Sequence, residues 1–575
     1  MKKLLSLIVV LALALTLCAS ACADKVLHYY LKEECPTLNG QNSVQSQVNT
    51  PAAYCGATLF RAVPDEDGKN FHYIGEIAKD LPEQVDDTTW RITLRPEACW
   101  ANGDPINADT MIYSFKMGLD PVLSNQMADF ISDQDITILN AKAYSKQTSD
   151  APVSWDDVGI KKIDDYTIEI VTDGTFTQKN VCSHFTTRAC VPIYEPLYES
   201  CMNADRTQST YGESVETYMS CGPYKLDSWV YGSVQTYVRN DKYWLPELFH
   251  YDAVDVRIIP EMNARVELWE QGQLDWLEPD SNVIETYIDD PRTVEDGSIT
   301  VYHIDLNCKN PKNPVTASIN YRKAIYHAMN REVIAKELFG YQQPSGVYVS
   351  TQAGMFSPEG LTYRESEQGK AVAAEVEAWG PYGYNPELAR EYLAKAYEEC
   401  GLPEDTVINL IIAYDPSEAK WKATAEYLQE ELPKIFEGKV TVESKNYTGI
   451  STTEFKKGTD EWDLSPNDWS RQASRTYPYT CFYYYLSTYG SHPNNFFDEE
   501  FEAQYAVCDS DEVKSDYSRL LDETAKLERI YLEKVIQVPV VQEVYYEMFA
   551  DRLILPVEEY LPSFGWGLAF GDIAE

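Results

Sequence analysis

The sequence predicts an α/β protein of several domains. Strand-like and helical segments alternate through the chain, and the helical ones carry local start and stop signals. The 575 residues amount to roughly three or four units at roughly 150 residues each. With 44% hydrophobic and 24% charged residues, the composition is that of an ordinary globular protein able to bury large cores.

Residues 89–95, TWRITLR, alternate apolar and polar at the period of a half-buried strand. Residues 166–171, YTIEIV, and 234–239, VQTYVR, do the same. Asn263 is placed to cap ARVELWEQ, which Gly272 ends. Asn320 opens a long run, YRKAIYHAMNREVIAKELF, that closes at Gly340. Asn385 caps the next helix, Pro386 occupies its first turn, and Gly401 terminates it. Residues 407–413, VINLIIA, read as a buried strand. Segment 417–432 starts on Ser417 and places Ala419, Ala423, Tyr427 and Leu428 on one stripe. These two helices flank the buried strand, as a covered sheet requires. Residues 535–555 have the character of a buried strand again.

The amino terminus reads as an export signal. Lys2 and Lys3 precede a 14-residue apolar stretch, Leu4 to Leu17, too short to span a bilayer comfortably. Ala19, Ser20 and Ala21 then lead to Cys22, a pattern resembling a bacterial lipoprotein signal with Cys22 as the lipidated residue. Cys18 is the second choice, because bulky Leu17 stands before it. Eleven further cysteines are scattered with no C-x-x-C, which suggests small buried residues and at most a few disulfides.

Lys and Arg number 48 against 91 Asp and Glu, a formal charge of −43. Such a surface repels phosphate backbones and argues against nucleic acid as the main partner. Cys182, His184 and Cys190 do not have the spacing of a standard zinc site, so no metal is expected. The chain contains no H-E-x-x-H, G-x-S-x-G or phosphate-binding loop, so no catalytic residue and no cofactor are assigned.

Several segments in order carry a resemblance. TWRITLRPEACWANGDPINADTMIYSF at 89–115, CGPYKLDSWVYGS at 221–233 and RNDKYW at 239–244 resemble successive blocks of extracellular solute-binding protein family 5. So do RIIPEMNARVELWEQGQLDW at 257–276, LNCKNPKNPVTASINYRKAIYHAMNREVI at 306–334 and YNPELAREYLAKA at 384–396. Order and spacing hold over roughly residues 55–555.

The resemblance implies a periplasmic-binding-protein-like fold of type II, from the large cluster with an extra subdomain. Two hinged α/β lobes would close on a ligand in a central cleft. Residues 1–22 would be the lipoprotein signal peptide and 23–302 lobe I, with the extra subdomain at about 52–190. Residues 303–532 would form lobe II and 533–575 would return to lobe I. The chain would cross near 300–306 and return near 530–538. The implied function is capture of a peptide or peptide-like solute and its delivery to an ABC permease with its ATPase subunits. The protein would be a monomer, lipid-anchored at the outer face of a bacterial cytoplasmic membrane or in the periplasm. Other readings stay open: a binder of an oligosaccharide, metal chelate or other small solute, a secreted hydrolase, or a peptide-sensing lipoprotein.

In oligopeptide binders of this family, an aspartate in a W-x-x-D-Y-x-x-P-like segment holds the peptide's amino terminus. The matching stretch here is NDWSRQASRTYPYT, 467–480, in which Trp469 fits and Gln472, flanked by Arg471 and Arg475, stands near the place of the acid. Arginines in that position favour an anionic, blocked or non-peptide ligand, or else make structural ion pairs. Tyr477, Tyr479, Tyr483, Tyr484, Tyr485 and Tyr489 follow, with Tyr483 the ligand-stacking candidate and Tyr447 a second cleft candidate. From lobe I the resemblance points to Asn49 and Thr50 in SQVNTP, and from the returning strand to Gln542.

Overall fold

The computed structural model describes residues 25–354, 362–416, 419–447, 455–456, 458–467, 477–487, 496–561 and 564–574. The chain divides into two units, Met1–Leu277 with Met548–Glu575, and Glu278–Glu547. The crossings therefore fall after Leu277 and after Glu547. The sequence reading puts the outward crossing later, near 300–306, and the return earlier, near 530–538, whereas both connecting strands belong almost wholly to the second unit.

Unit 1 is built on a four-stranded sheet of β1 (Val26–Leu31), β2 (Tyr224–Val230), β3 (Val234–Arg239) and β4 (Ala253–Ile258), in the order β1-β4-β3-β2. Strand β1 runs parallel to β4, and the other neighbours are antiparallel. A second antiparallel sheet joins Glu83–Gln84, Thr89–Thr93, Thr167–Val171 and Ile160–Asp164. Here the predicted alternation is realised: Trp90 pairs with Ile170 and Ile92 with Ile168, all buried. On the other face Arg91 lies opposite Glu169 and bonds it at 2.7 Å.

The RNDKYW and CGPYK blocks interlock. The Asn240 side chain donates to the Gly222 carbonyl at 2.9 Å. A side chain at Gly222 would meet the Gly56 carbonyl at 2.5 Å, so the close approach demands glycine. Tyr243 donates to fully buried Glu76 at 2.7 Å, Arg61 does so at 2.6 Å, and the Trp244 indole N–H reaches the Glu76 carbonyl at 2.7 Å. A buried carboxylate with this many donors is the arrangement that burial requires.

In unit 2 the sheet comprises β5 (Thr293–Leu306), β6 (Gln343–Pro344), β7 (Ile408–Tyr414), β8 (Val440–Asn446), β9 (Leu464–Asn467) and β10 (Gln537–Phe549). The order is β10-β5-β9-β7-β8, with β6 on β10. Strands β7, β8 and β9 are mutually parallel and β5 is antiparallel to β9. Helices α1 (Ile319–His327), α2 (Glu367–Glu377), α3 (Pro386–Cys400), α4 (Ala419–Ile435), α5 (Glu499–Cys508) and α6 (Tyr517–Lys534) cover it. Ile408, Leu410 and Ile412 of the predicted buried strand lie in the large core cluster of this unit.

Helix boundaries follow the predicted signals in part. Asn385 accepts from the Leu388 N–H at 3.0 Å, and Gly401 closes α3 with φ +64°. The helix of 262–270 has Glu261 at its cap position, so Asn263 sits two residues too far in to serve. The long run from 320 is broken in two. Ser318, not Asn320, caps α1, and Asn330 accepts from Val333 N–H to start a second short helix. The buried stripe of α4 is Trp421, Ala425, Leu428, Leu432 and Ile435, while Ala419 is exposed. The larger residues claim the core because they bring more apolar area than the alanines.

All eleven cysteines from Cys35 to Cys508 are unpaired thiols, and eight are buried. Burial pushes the Cys182 and Cys190 thiols up to about 12, which disfavours a metal-binding thiolate. Both ring nitrogens of His184 are engaged, by the Ile131 carbonyl at 3.0 Å and the Asp135 N–H at 3.3 Å. No helix among the described residues is long and apolar enough to cross a membrane.

Candidate ligand-binding site

In open α/β sheets, ligands gather outside the carboxyl ends of the strands. Parallel β7, β8 and β9 end together here at Tyr414, Asn446 and Asn467. Antiparallel β5 begins at that same end. A cavity of about 660 Å³ opens within unit 2 beside the first residues of β5, and Tyr414, Asn446 and Asn467 are not among its lining residues. Its walls are Glu295 and Gly297 of β5, Gln542 and Val544 of β10, the Gln343–Thr351 stretch, and Lys370, Ala373 and Glu377 of α2. That volume lies in the range of small-solute pockets, and the lining mixes apolar walls with a few polar groups as such pockets do.

Gln542 is the predicted residue that the structure puts at this cavity. Its amide is engaged by the protein: the NH2 donates to the Ser298 and Thr300 carbonyls at 2.5 and 3.1 Å, and the oxygen accepts from the Thr351 N–H at 3.1 Å. It is a strut that fixes β5, β10 and the wall loop. A second strut is Glu528 of α6, fully buried, which accepts from Arg364, from the Tyr363 hydroxyl at 3.0 Å and from the Val349 N–H at 3.3 Å. Arg364 and Val349 are themselves cavity wall.

Deeper in the sheet lies a buried charged network. Asp305 of β5 receives the Lys456 ammonium on one oxygen. On the other it meets His303 Nε2 at 3.2 Å and the Gln537 amide at 3.0 Å. Gln537 in turn accepts from the hydroxyls of Tyr485 and Tyr531. Burial alone would raise the Asp305 pKa. Lys456 and His303 override it and hold the carboxyl well below the usual range. The network ties Lys456 and the Tyr485 turn to the sheet.

The other predicted residues are placed as follows. Tyr447 is buried, stacked on Phe455 at 4.3 Å in a small cluster with Trp462 and Ala413. Tyr483 is 44% exposed, while Tyr479, Tyr484 and Tyr485 pack into the unit 2 core. Tyr479 donates to Asp509 at 2.7 Å, so most of the tyrosine run serves packing rather than stacking on a ligand. In unit 1, Asn49 and Thr50 begin the Asn49–Cys55 helix, where the Arg188 guanidinium donates to the Asn49 side-chain Oδ1. Trp469, Arg471, Gln472, Arg475, Tyr489, Cys18 and Cys22 lie outside the described residues.

Sequence reasoning missed Asp305, His303, Glu528 and Arg364. One signal was present: His303 and Asp305 are polar residues on one face of the otherwise apolar strand VYHIDL.

Residue Asp296, next to the cavity on β5, gives a pH prediction. Burial, and then the Glu547 carboxylate, raise its pKa to about 7, against the opposing pull of the Gly297 N–H. The folded state thus keeps a proton that the unfolded chain releases near pH ~3.9. Its contribution to stability falls as pH rises between those values and is level above about 7. Asp296→Asn, neutral throughout, is expected to gain about 1–2 kcal/mol over the parent at pH 8 and almost nothing at pH 4, with solvent screening allowed for. Urea unfolding of both proteins at the two pH values checks this.

Residues 72–491 match the sequence profile of "Bacterial extracellular solute-binding proteins, family 5 Middle". The chain belongs to this family. It is a family of binding proteins rather than enzymes. Among curated relatives, the chain is 25% identical over 364 residues to the oligopeptide-binding protein OppA of Bacillus subtilis. It is 25% identical over 368 residues to the dipeptide-binding protein DppE of the same organism. Those matches cover 62% and 64% of this chain but span only 59% and 61% of the relatives' own length.

Solved structures share the fold. The substrate-binding domain of an oligopeptide ABC transporter from Bacillus anthracis aligns with TM-score 0.57 at 20% identity, covering 96% of this chain and 99% of that one. Listeria monocytogenes OppA bound to peptide gives 0.56 at 20% identity, with the same coverage. The unliganded open form of the murein tripeptide binding protein MppA gives 0.69 at 18% identity, covering 96% and 98%. The family-5 chain therefore has the two-lobed α/β solute-binding fold.

Proposed function

We propose that this family-5 protein captures a peptide or peptide-like solute and delivers it to an ABC import permease, tethered to the membrane through a lipid on Cys22. The observation that carries the reading is a solute-sized cavity in unit 2 in a chain of this family. The relatives named for oligopeptide and dipeptide binding support a peptide ligand. The lipoprotein-like leader supports a tether.

The ligand's amino terminus is not held by the usual aspartate, because residues 469–475 read WSRQASR. A buried ammonium without an anion is unfavourable. Blocking the terminus should therefore matter little. Titration calorimetry of one tight-binding peptide, free and N-acetylated, is expected to give dissociation constants within about threefold, or about 0.7 kcal/mol. A loss of tenfold or more on acetylation overturns this part of the reading. Failure of every peptide, blocked or free, overturns the peptide assignment itself.

A further inference from the structure

A second cavity, of about 310 Å³, lies among the helices of unit 2 and shares no lining residue with the one just described. It is framed by α1, α3, α6 and the end of α2, and its walls are aromatic. Trp379 stands edge-on to Tyr326 at 5.9 Å and to His327 at 5.4 Å, while Tyr392 stacks on His327 at 5.5 Å. Leu532 of α6 supplies an aliphatic wall.

His327 is the one deeply buried polar ring in this lining, only 3% exposed. Its Nδ1 faces the Gly383 carbonyl at 2.8 Å. A carbonyl oxygen only accepts, so Nδ1 carries the hydrogen. Burial holds the imidazole's pKa down at about 4, so the ring is neutral at ordinary pH. Nε2 is thereby fixed as an acceptor with no hydrogen of its own.

The charged groups are Arg529, Glu375, Lys323 and Glu533, the last of them exposed. Arg529 clasps Glu375 through contacts of 2.8 to 3.0 Å, and the Lys323 ammonium lies 5.5 Å over the Tyr392 ring. Glu533 adds an exposed carboxylate, while the deeply buried part of the lining offers apolar and aromatic walls and the His327 acceptor.

We propose that this cavity is a second binding site, for a small aromatic molecule carrying a single hydroxyl or N–H donor, of the phenol or indole class, anchored on His327 Nε2. The donor matters because a guest without one strips water from the acceptor and puts nothing in its place. The ring matters because the aromatic walls present edges and faces that another ring fits. The site is separate from the solute cavity and stands or falls independently of the peptide reading.

The test is fluorine NMR titration of the full chain with 4-fluorophenol and with fluorobenzene, which differ in the donor alone. The expected result is saturable binding of one 4-fluorophenol per chain, at least tenfold tighter than fluorobenzene. His327→Phe is expected to bring the two probes to parity, and Leu532→Trp, which fills the cavity, to abolish both. Equal affinity of the two probes for the parent protein overturns the proposal, as does the absence of saturable binding. So does 4-fluorophenol binding that survives both substitutions. The parent comparison decides even where a variant fails to fold.

Discussion

Asp305→Ala is expected to lower the unfolding free energy by about 3–5 kcal/mol. Asp305 is fully buried and is the common partner of Lys456, His303 and Gln537. Removing it takes away the acid that binds the Lys456 ammonium, itself only 5% exposed and 5.2 Å from the Trp462 ring. An uncompensated buried charge costs more than the pair ever gained, which is why deletion of one partner is the severe case. Urea denaturation reads the loss. The double substitution Asp305→Leu with Lys456→Met, which removes both charges, is expected to recover most of it.

The same pair has an acid signature. The Asp305 carboxyl is held well below its unfolded value, so its stabilising contribution is complete above the unfolded pKa and drains away as pH falls below it. The parent should therefore lose stability from about pH 5 downward more steeply than Asp305→Ala does. Equal acid profiles would show that the pair is not the source of the slope.

The second large effect is expected at Glu528. Glu528→Leu leaves Arg364, whose side chain is 10% exposed, without its acid partner and strips the Tyr363 hydroxyl and Val349 N–H of their acceptor. The expected cost is again about 3–5 kcal/mol. Glu528→Gln keeps an acceptor oxygen and should cost about half as much. Because Arg364 and Val349 are walls of the 660 Å³ cavity, the leucine variant is also expected to weaken solute binding in its folded fraction. Calorimetry alongside thermal unfolding separates the two effects. Unchanged affinity at reduced stability would place solute contacts elsewhere than this cavity.

Much of the scaffold was legible because its causes are local. TWRITLR alternates since one face meets Ile168 and Ile170 and the other meets Glu169. Asn385, Pro386 and Gly401 mark α3 because caps and terminators act within a few residues. Where two capping residues compete, tertiary contacts decide. Ser318 prevails over Asn320 at α1, and its hydroxyl also donates to Glu399 at 2.6 Å. The break at Asn330 was hidden within a sequence that keeps helical spacing on both sides.

The recognisable sequence blocks proved to be fold-bearing. Gly222 and Asn240 interlock two of them, and Tyr243 and Trp244 satisfy a buried glutamate. Two arginines of the 306–334 block, Arg322 and Arg331, bind backbone carbonyls of Lys534 and Pro539 and tie α1 and its successor to the start of β10. The site was less legible. The family resemblance pointed to Gln542 on the returning strand, but the Asp305–Lys456 contact joins positions 151 residues apart. Nothing in local spacing encodes such a pair. Within the tyrosine run, Tyr479, Tyr484 and Tyr485 pack into the core, while the candidate Tyr483 is exposed, a division that linear spacing does not show.

The most direct measurement is native mass spectrometry of the full chain after incubation with a mixed peptide library, followed by release of whatever is retained. Capture predicts one peptide per chain, released at its intact mass and in unchanged amount after prolonged incubation. A chain that retains nothing, or one that returns shortened fragments of the library, would contradict it.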